Sequence, residues 1–207
     1  MPLQNRVTPL GEIVAAPWRG ALMGNRGGCL CVRPREMGSR RWASPRWILC
    51  ELEYNGWRRE VMQVGTYTEL FFFDEACGLA AGHRPCAFCR PEAFRRFRAA
   101  WLAGNPHLGM AANVRVEAID RVLHTDRLEG RRQRRVSVAL ENLPNGAMFV
   151  TRRDPDAPIL RWGGAFWEWK AGGYVPWGGC EEERVRALTP ASTLGALQAG
   201  YIPEVRL

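Results

Sequence analysis

Apolar and polar positions alternate over residues 47–54, with Ile48, Cys50, Leu52 and Tyr54 on one face and Glu51 and Glu53 on the other. A period of two predicts a half-buried strand. Asn55-Gly56 is the residue pair a type I′ turn prefers, so a hairpin returning over 58–64 is expected. Residues 68–73 form an apolar run suited to a strand buried on both faces. Further short strands are expected near 11–15, 30–32, 136–140, 147–151, 159–162, 165–170 and 184–188, with glycines and prolines punctuating them.

Three segments switch to helical spacing. Asp74 is placed to cap a helix over 75–81, and Gly82 to end it in the left-handed conformation. Pro91 fits the first turn of a second helix whose stripe is Phe94, Phe97 and Trp101. A third helix is expected over about 114–128, with Val116, Ile119 and Leu123 facing inward. A last one starts at Thr189-Pro190 and stops at Gly200. The fold class that follows is α+β. Gly104-Asn105-Pro106 is the expected boundary between a small β-hairpin module (1–104) and a second helix-plus-sheet unit (105–207).

The chain of 207 residues is 46% apolar and has no run of 18 apolar residues, so it can bury a core and no membrane span is expected. No signal peptide is evident at the N-terminus. The seven cysteines suit thiols or metal ligands in a reducing cytoplasm better than a disulfide framework. The net charge is +8 and Lys170 is the only lysine. The arginines fall in two blocks. Arg84, Arg90, Arg95, Arg96 and Arg98 surround the pair Cys86-x-x-Cys89. Arg127, Arg131, Arg132, Arg134 and Arg135 form the other. Guanidinium forks suit phosphate oxygens, which makes nucleic acid the expected partner.

Cys86 and Cys89 stand three apart on a turn, a spacing that lets one metal ion take both thiolates. Four-ligand closure needs two more, and Cys31 and Cys50 are the first choice, with Cys29 as a substitute for either. Cys77 and Cys180 read as bystanders, and His83 as a loop cap or phosphate contact. Glu117, Asp120 and His124 share one side of the third helix. Asp120 orienting His124 would make an acid–base pair. Residues 23–28, Met-Gly-Asn-Arg-Gly-Gly, read as a glycine-rich loop with the makings of an anion nest. Trp162, Phe166, Trp167, Trp169, Tyr174 and Trp177 crowd a short stretch around Glu168. They suit either a small β core or a base-stacking surface.

Phe71-Phe72-Phe73-Asp74-Glu75-Ala76 followed by Ala80-Ala81-Gly82-His83-Arg84-Pro85-Cys86-Ala87-Phe88-Cys89-Arg90-Pro91 resembles the metal-binding module of Ada-type DNA repair proteins. The resemblance is confined to residues 69–91. It implies a zinc (Zn2+) site of four thiolates in a small DNA-contacting module, where one thiolate of the family accepts a methyl group. The family's second ligand pair corresponds to Cys86 and Cys89. Its first pair, a Cys-x-x-x-Cys, has no counterpart upstream in this chain. The expectation is therefore a zinc-bound, DNA-binding protein acting in repair or modification, with Arg84, Arg90, Arg95 and Arg98 on the phosphates. The alternatives are a hydrolase or glycosylase working through Asp120 and His124, and an interaction scaffold with structural zinc.

Overall fold

The computed structural model describes residues 1–56, 60–179 and 181–207. It is α+β. The N-terminal half contributes β1 (Gln4–Val7), β2 (Ile13–Ala15), β3 (Leu22–Arg26), β4 (Cys31–Arg33), β5 (Glu36–Met37), β6 (Trp47–Cys50), β7 (Leu70–Phe72), helix α1 (Glu75–Ala80) and β8 (Arg84–Pro85). Six of these strands form one mixed sheet in the order β2-β1-β7-β3-β6-β8, while β4 and β5 pair only with each other. The pairs β1/β7 and β6/β8 are parallel and the rest antiparallel.

The apolar run at 68–73 becomes β7 at the middle of this sheet, with Leu70 and Phe72 fully buried. The expected hairpin after residue 54 differs. Asn55 and Gly56 take the positive φ values of 52° and 69° that a type I′ turn requires. Yet β6 ends at Cys50 and residues 60–64 form bends and turns, while 57–59 lie outside the described residues. β6 pairs instead with β3 and β8. Residues 23–26, expected in a loop, are the strand β3 between β6 and β7. Their backbone belongs to the ladder, and the Gly27 N–H donates to the Asn25 side chain at 3.0 Å rather than to an anion.

Helix α1 forms as its caps dictate. The Asp74 carboxylate accepts from the Cys77 N–H at 2.8 Å, and Gly82 closes the turn at φ 81°. A side chain at Gly82 would also collide with Arg127, whose Cδ lies 2.6 Å from the Cβ position. All six α1 residues are buried. One side meets Leu49 of β6, and Ala76, Cys77 and Ala80 pack with Met148, Val150, Leu160 and Leu188.

The remaining elements are α2 (Pro91–Gly104), α3 (Val116–Arg127), a short hairpin of β9 (Leu128–Glu129) and β10 (Arg132–Gln133), then β11 (Val136–Ala139), β12 (Met148–Val150), β13 (Ile159–Trp162), β14 (Ala165–Lys170), β15 (Gly173–Pro176), β16 (Arg184–Ala187) and α4 (Ala191–Gln198). Strands β11 to β16 make a second, fully antiparallel sheet in the order β11-β16-β12-β13-β14-β15.

The chain turns at Gly104-Asn105-Pro106, but the apolar core does not divide there. Phe97 and Trp101 of α2 share one cluster with Leu79, Ile119, Leu123, Phe149, Leu194 and Tyr201. Helices α2 and α4 cross closely because two glycines meet. A Cβ on Gly104 would lie 2.0 Å from the Gly195 carbonyl oxygen. Asn105 fastens the crossing by donating to the Trp101 and Ser192 carbonyls at 2.7 and 2.9 Å. Among the described residues no helix is long and apolar enough to cross a membrane.

Candidate metal centre and basic cleft

Parallel pairing of β6 with β8 sets Cys50, the last residue of β6, beside Cys86, the first residue after β8. The Cys86 N–H donates to the Leu49 carbonyl at 2.8 Å. The turn through residues 87–89 then folds Cys89 back, and the Arg90 N–H donates to the Cys86 carbonyl at 3.1 Å. The sulfurs of Cys50, Cys86 and Cys89 all lie within 4.8 Å of one another, close enough to hold a metal ion. Hydrogen bonds from Cys50 and then Cys89 hold the Cys86 thiol far below its usual range, while Cys50 is raised by bonding to Cys86. The Phe88 N–H also points at the Cys86 sulfur, at 3.4 Å. Thiols this close together can be deprotonated and shared by one metal ion.

Cys31 is not in this cluster. Its sulfur lies 3.4 Å from the Thr68 hydroxyl, because β4 pairs with β5 outside the sheet that carries Cys50. Cys29, its substitute, points at the carbonyls of Cys31 and Gln63. Among the described residues the protein supplies three thiols where four ligands were expected. Cys180 lies outside the described residues.

Two of the four arginines expected on phosphates are instead buried in ion pairs within the protein. Arg84 is 2% exposed and grips both Asp120 oxygens at 2.7 and 2.8 Å. Arg90 is 4% exposed and spreads its fork over Glu51, Glu75 and Glu204 at 3.0–3.1 Å. These pairs tie the thiolate turn to α3, to α1 and to the C-terminal segment. Arg98 donates to the Ala112 and Val114 carbonyls, and Arg95 is exposed on α2.

The expected acid–base pair does not form either. Asp120 is committed to Arg84, and His124 Nδ1 lies 3.0 Å from Arg127 Nη2 instead. Burial and the Arg127 charge push the His124 pKa down. Of the aromatics around Glu168, Phe166 packs edge-on against Phe149 and Trp177, and Trp169 against Trp18. They are half-buried and pack against the core clusters, while Glu168 itself pairs with Lys170.

The second arginine block lines a concave surface. A cleft of about 930 Å³ opens between the β9–β10 hairpin, β2 and the 41–47 segment, and seven arginines line it against three carboxylates. Arg26 and Arg127 lie at its floor, 2% and 1% exposed. Each guanidinium carbon is 4.1 Å from the centroid of the Trp47 ring. Arg26 donates to the Gly11 carbonyl at 2.9 Å and to His83 Nε2 at 3.4 Å. Arg127 donates to the carbonyls of Gly82, at 2.6 Å, and Pro45. Every one of these acceptors is neutral. Burial, and then Arg41, push the Arg26 pKa down to about 9, and burial lowers Arg127 as well. His83, wholly buried beside both cations, is held far below its usual value by that burial.

Arg41, Arg131, Arg132, Arg135 and Arg186 make up the walls. None of the seven has a carboxylate within ion-pair distance among the described residues. Arg127 and its block were visible in the sequence as a run of charge. Arg26 was visible only as the arginine of a glycine-rich loop, whereas it comes from a strand inside the first sheet. Neither a family model, nor a curated protein, nor a solved structure matches this chain.

Proposed function

We propose that this is a zinc-thiolate protein that binds nucleic acid. The observation that carries the reading is the basic cleft, where seven arginines stand with no carboxylate at ion-pair distance among the described residues. Arginines that outnumber carboxylates seven to three in one concavity concentrate positive potential where a polyanion can enter. Cys50, Cys86 and Cys89 would hold the zinc. Soft thiolates and no carboxylate in the cluster fit that ion better than calcium or magnesium. It would supply a rigid link between β6 and the turn leading into α2. Thiol ligands of this kind persist in a reducing compartment, which fits a cytoplasmic protein. The resemblance of residues 69–91 to Ada-type modules extends the reading to DNA repair or modification.

The test has two measurements on the purified chain. Elemental analysis should find one zinc per chain, and Cys86→Ser should lose it together with several degrees of thermal stability. DNA binding measured at ~50 and ~200 mM salt should weaken at least tenfold at the higher salt. Absence of zinc, or affinity indifferent to salt, sinks the corresponding half of the reading.

A further inference from the structure

The cleft floor is built differently from every other buried arginine site described in the protein. Arg84 and Arg90 are buried with carboxylates. Arg26 and Arg127 are buried just as deeply, on one indole ring, with only carbonyls and neutral histidines as acceptors. Glu12, Glu129 and Asp156 line the same cleft but none makes an ion pair with an arginine there. A buried cation without a counter-ion is costly, and a ligand that brings negative charge to this floor removes that cost.

Three features narrow the ligand. Guanidinium forks match phosphate oxygens. The charge continues up the wall through Arg131, Arg132 and Arg186, further than one monoanion extends. Trp42 also lines the cleft and is half-buried, with its ring edge-on to His124 at 5.9 Å, so part of the indole is open to a base. Duplex DNA is read by a helix or ribbon that protrudes into a groove, whereas a recess with an aromatic wall receives an unpaired strand.

We propose that the cleft seats an unpaired nucleic-acid strand, with a backbone phosphate over Arg26 and Arg127 and a base stacked on Trp42. This rests on the nucleic-acid reading above and adds the strand state and the contacts.

The experiment is a fluorescence-anisotropy titration of the zinc-loaded full chain with an end-labelled 12-nucleotide single strand and the matching duplex, with inorganic phosphate and a mononucleotide as competitors. The single strand should bind at least tenfold tighter than the duplex. Trp42→Ala should cost the single strand about tenfold and the duplex little. Arg132→Ala, at an exposed position, should reduce the salt slope by about one. Arg26→Gln should abolish the strand preference, and if that variant fails to fold, Trp42→Ala and Arg132→Ala decide. Equal binding of single strand and duplex, or affinity unmoved by Trp42→Ala and Arg132→Ala, overturns the cleft while leaving nucleic-acid binding in place. Competition by the mononucleotide as tightly as by the strand also overturns it, in favour of a small phosphorylated ligand. No binding of either DNA at low salt overturns both proposals.

Discussion

Among the described residues four arginines are almost wholly buried, and they divide into two kinds. Arg84 and Arg90 are surrounded by carboxylates and act as bolts, one holding α3 to the thiolate turn, the other joining α1, β6 and the C-terminal segment. Arg26 and Arg127 share one tryptophan and make no ion pair among the described residues. Burial alone therefore does not say what a cation is for; the charge of its acceptors does. Paired, it is part of the scaffold. Unpaired at the floor of a cleft, it is positive potential held ready for something the chain does not contain.

The largest way to break this contrast is to turn a paired arginine into an unpaired one. Asp120→Ala leaves Arg84 buried with no counter-charge, which costs about 3–5 kcal/mol. For a chain of 207 residues each kcal/mol moves the midpoint by about 2–4 °C. Thermal unfolding should therefore fall by roughly 6–20 °C. The double change Arg84→Met with Asp120→Leu should recover most of that, because it removes both charges together. A full-strength loss that the double change does not relieve would mean that packing, not charge, holds α3 in place. An intact fold in the single variant would contradict the bolt altogether.

Acidification comes next in size and addresses the unpaired side. His83 is fully buried against Arg26, and burial followed by the two arginine charges lowers its pKa far below 6.5. The folded state thus binds fewer protons than the unfolded state, so stability falls as pH drops below the unfolded value. Between pH 6.5 and 5 one such group removes about 2 kcal/mol. Urea titrations at pH 7 and 5 should show that loss in the wild type and a smaller one in His83→Gln. The same acid sensitivity in both would place its origin elsewhere.

What the sequence revealed and what it concealed is a matter of distance along the chain. The caps of α1, Asp74 and Gly82, act within one or two turns, so they were legible, as were β13 and β14 between their glycines and prolines. Cys86 and Cys89 were legible for the same reason, three residues apart on one turn. Cys50 joins them only because β6 runs parallel to β8. Nothing local distinguishes it from Cys31, which pairs with Thr68 instead. The partners of Arg84 and Arg90 lie up to 114 positions away, so a charge count took two structural bolts for a DNA-binding surface. Strand β3 was hidden by its glycines, since its stability comes from a neighbour on each side rather than from its own residues.

A smaller effect is expected at the cleft floor. Arg26→Met keeps most of the side-chain length and discards the buried charge. It loses the hydrogen bond to Gly11, worth about 1 kcal/mol, and the attraction to Trp47, about 2 kcal/mol when desolvated. Against this stands the relief of an unpaired cation beside Arg127 and Arg41. The net change in unfolding free energy should stay within about 1.5 kcal/mol, well short of Asp120→Ala. A loss of 3 kcal/mol or more would make Arg26 a bolt like Arg84 and erase the comparison.

The smallest effect is expected where charge is most visible in the sequence. Arg95 lies on the exposed side of α2, with no ion pair among the described residues, and is not among the residues lining the cleft. Arg95→Ala should leave stability within about 0.5 kcal/mol and change DNA affinity no more than about twofold, a single screened charge outside the recess. Comparing it with Arg132→Ala at equal salt separates two accounts of the net charge of +8. If both variants weaken binding equally, the whole basic surface acts as a diffuse attractor. If only Arg132→Ala does, the arginines that matter are those gathered around the unpaired pair.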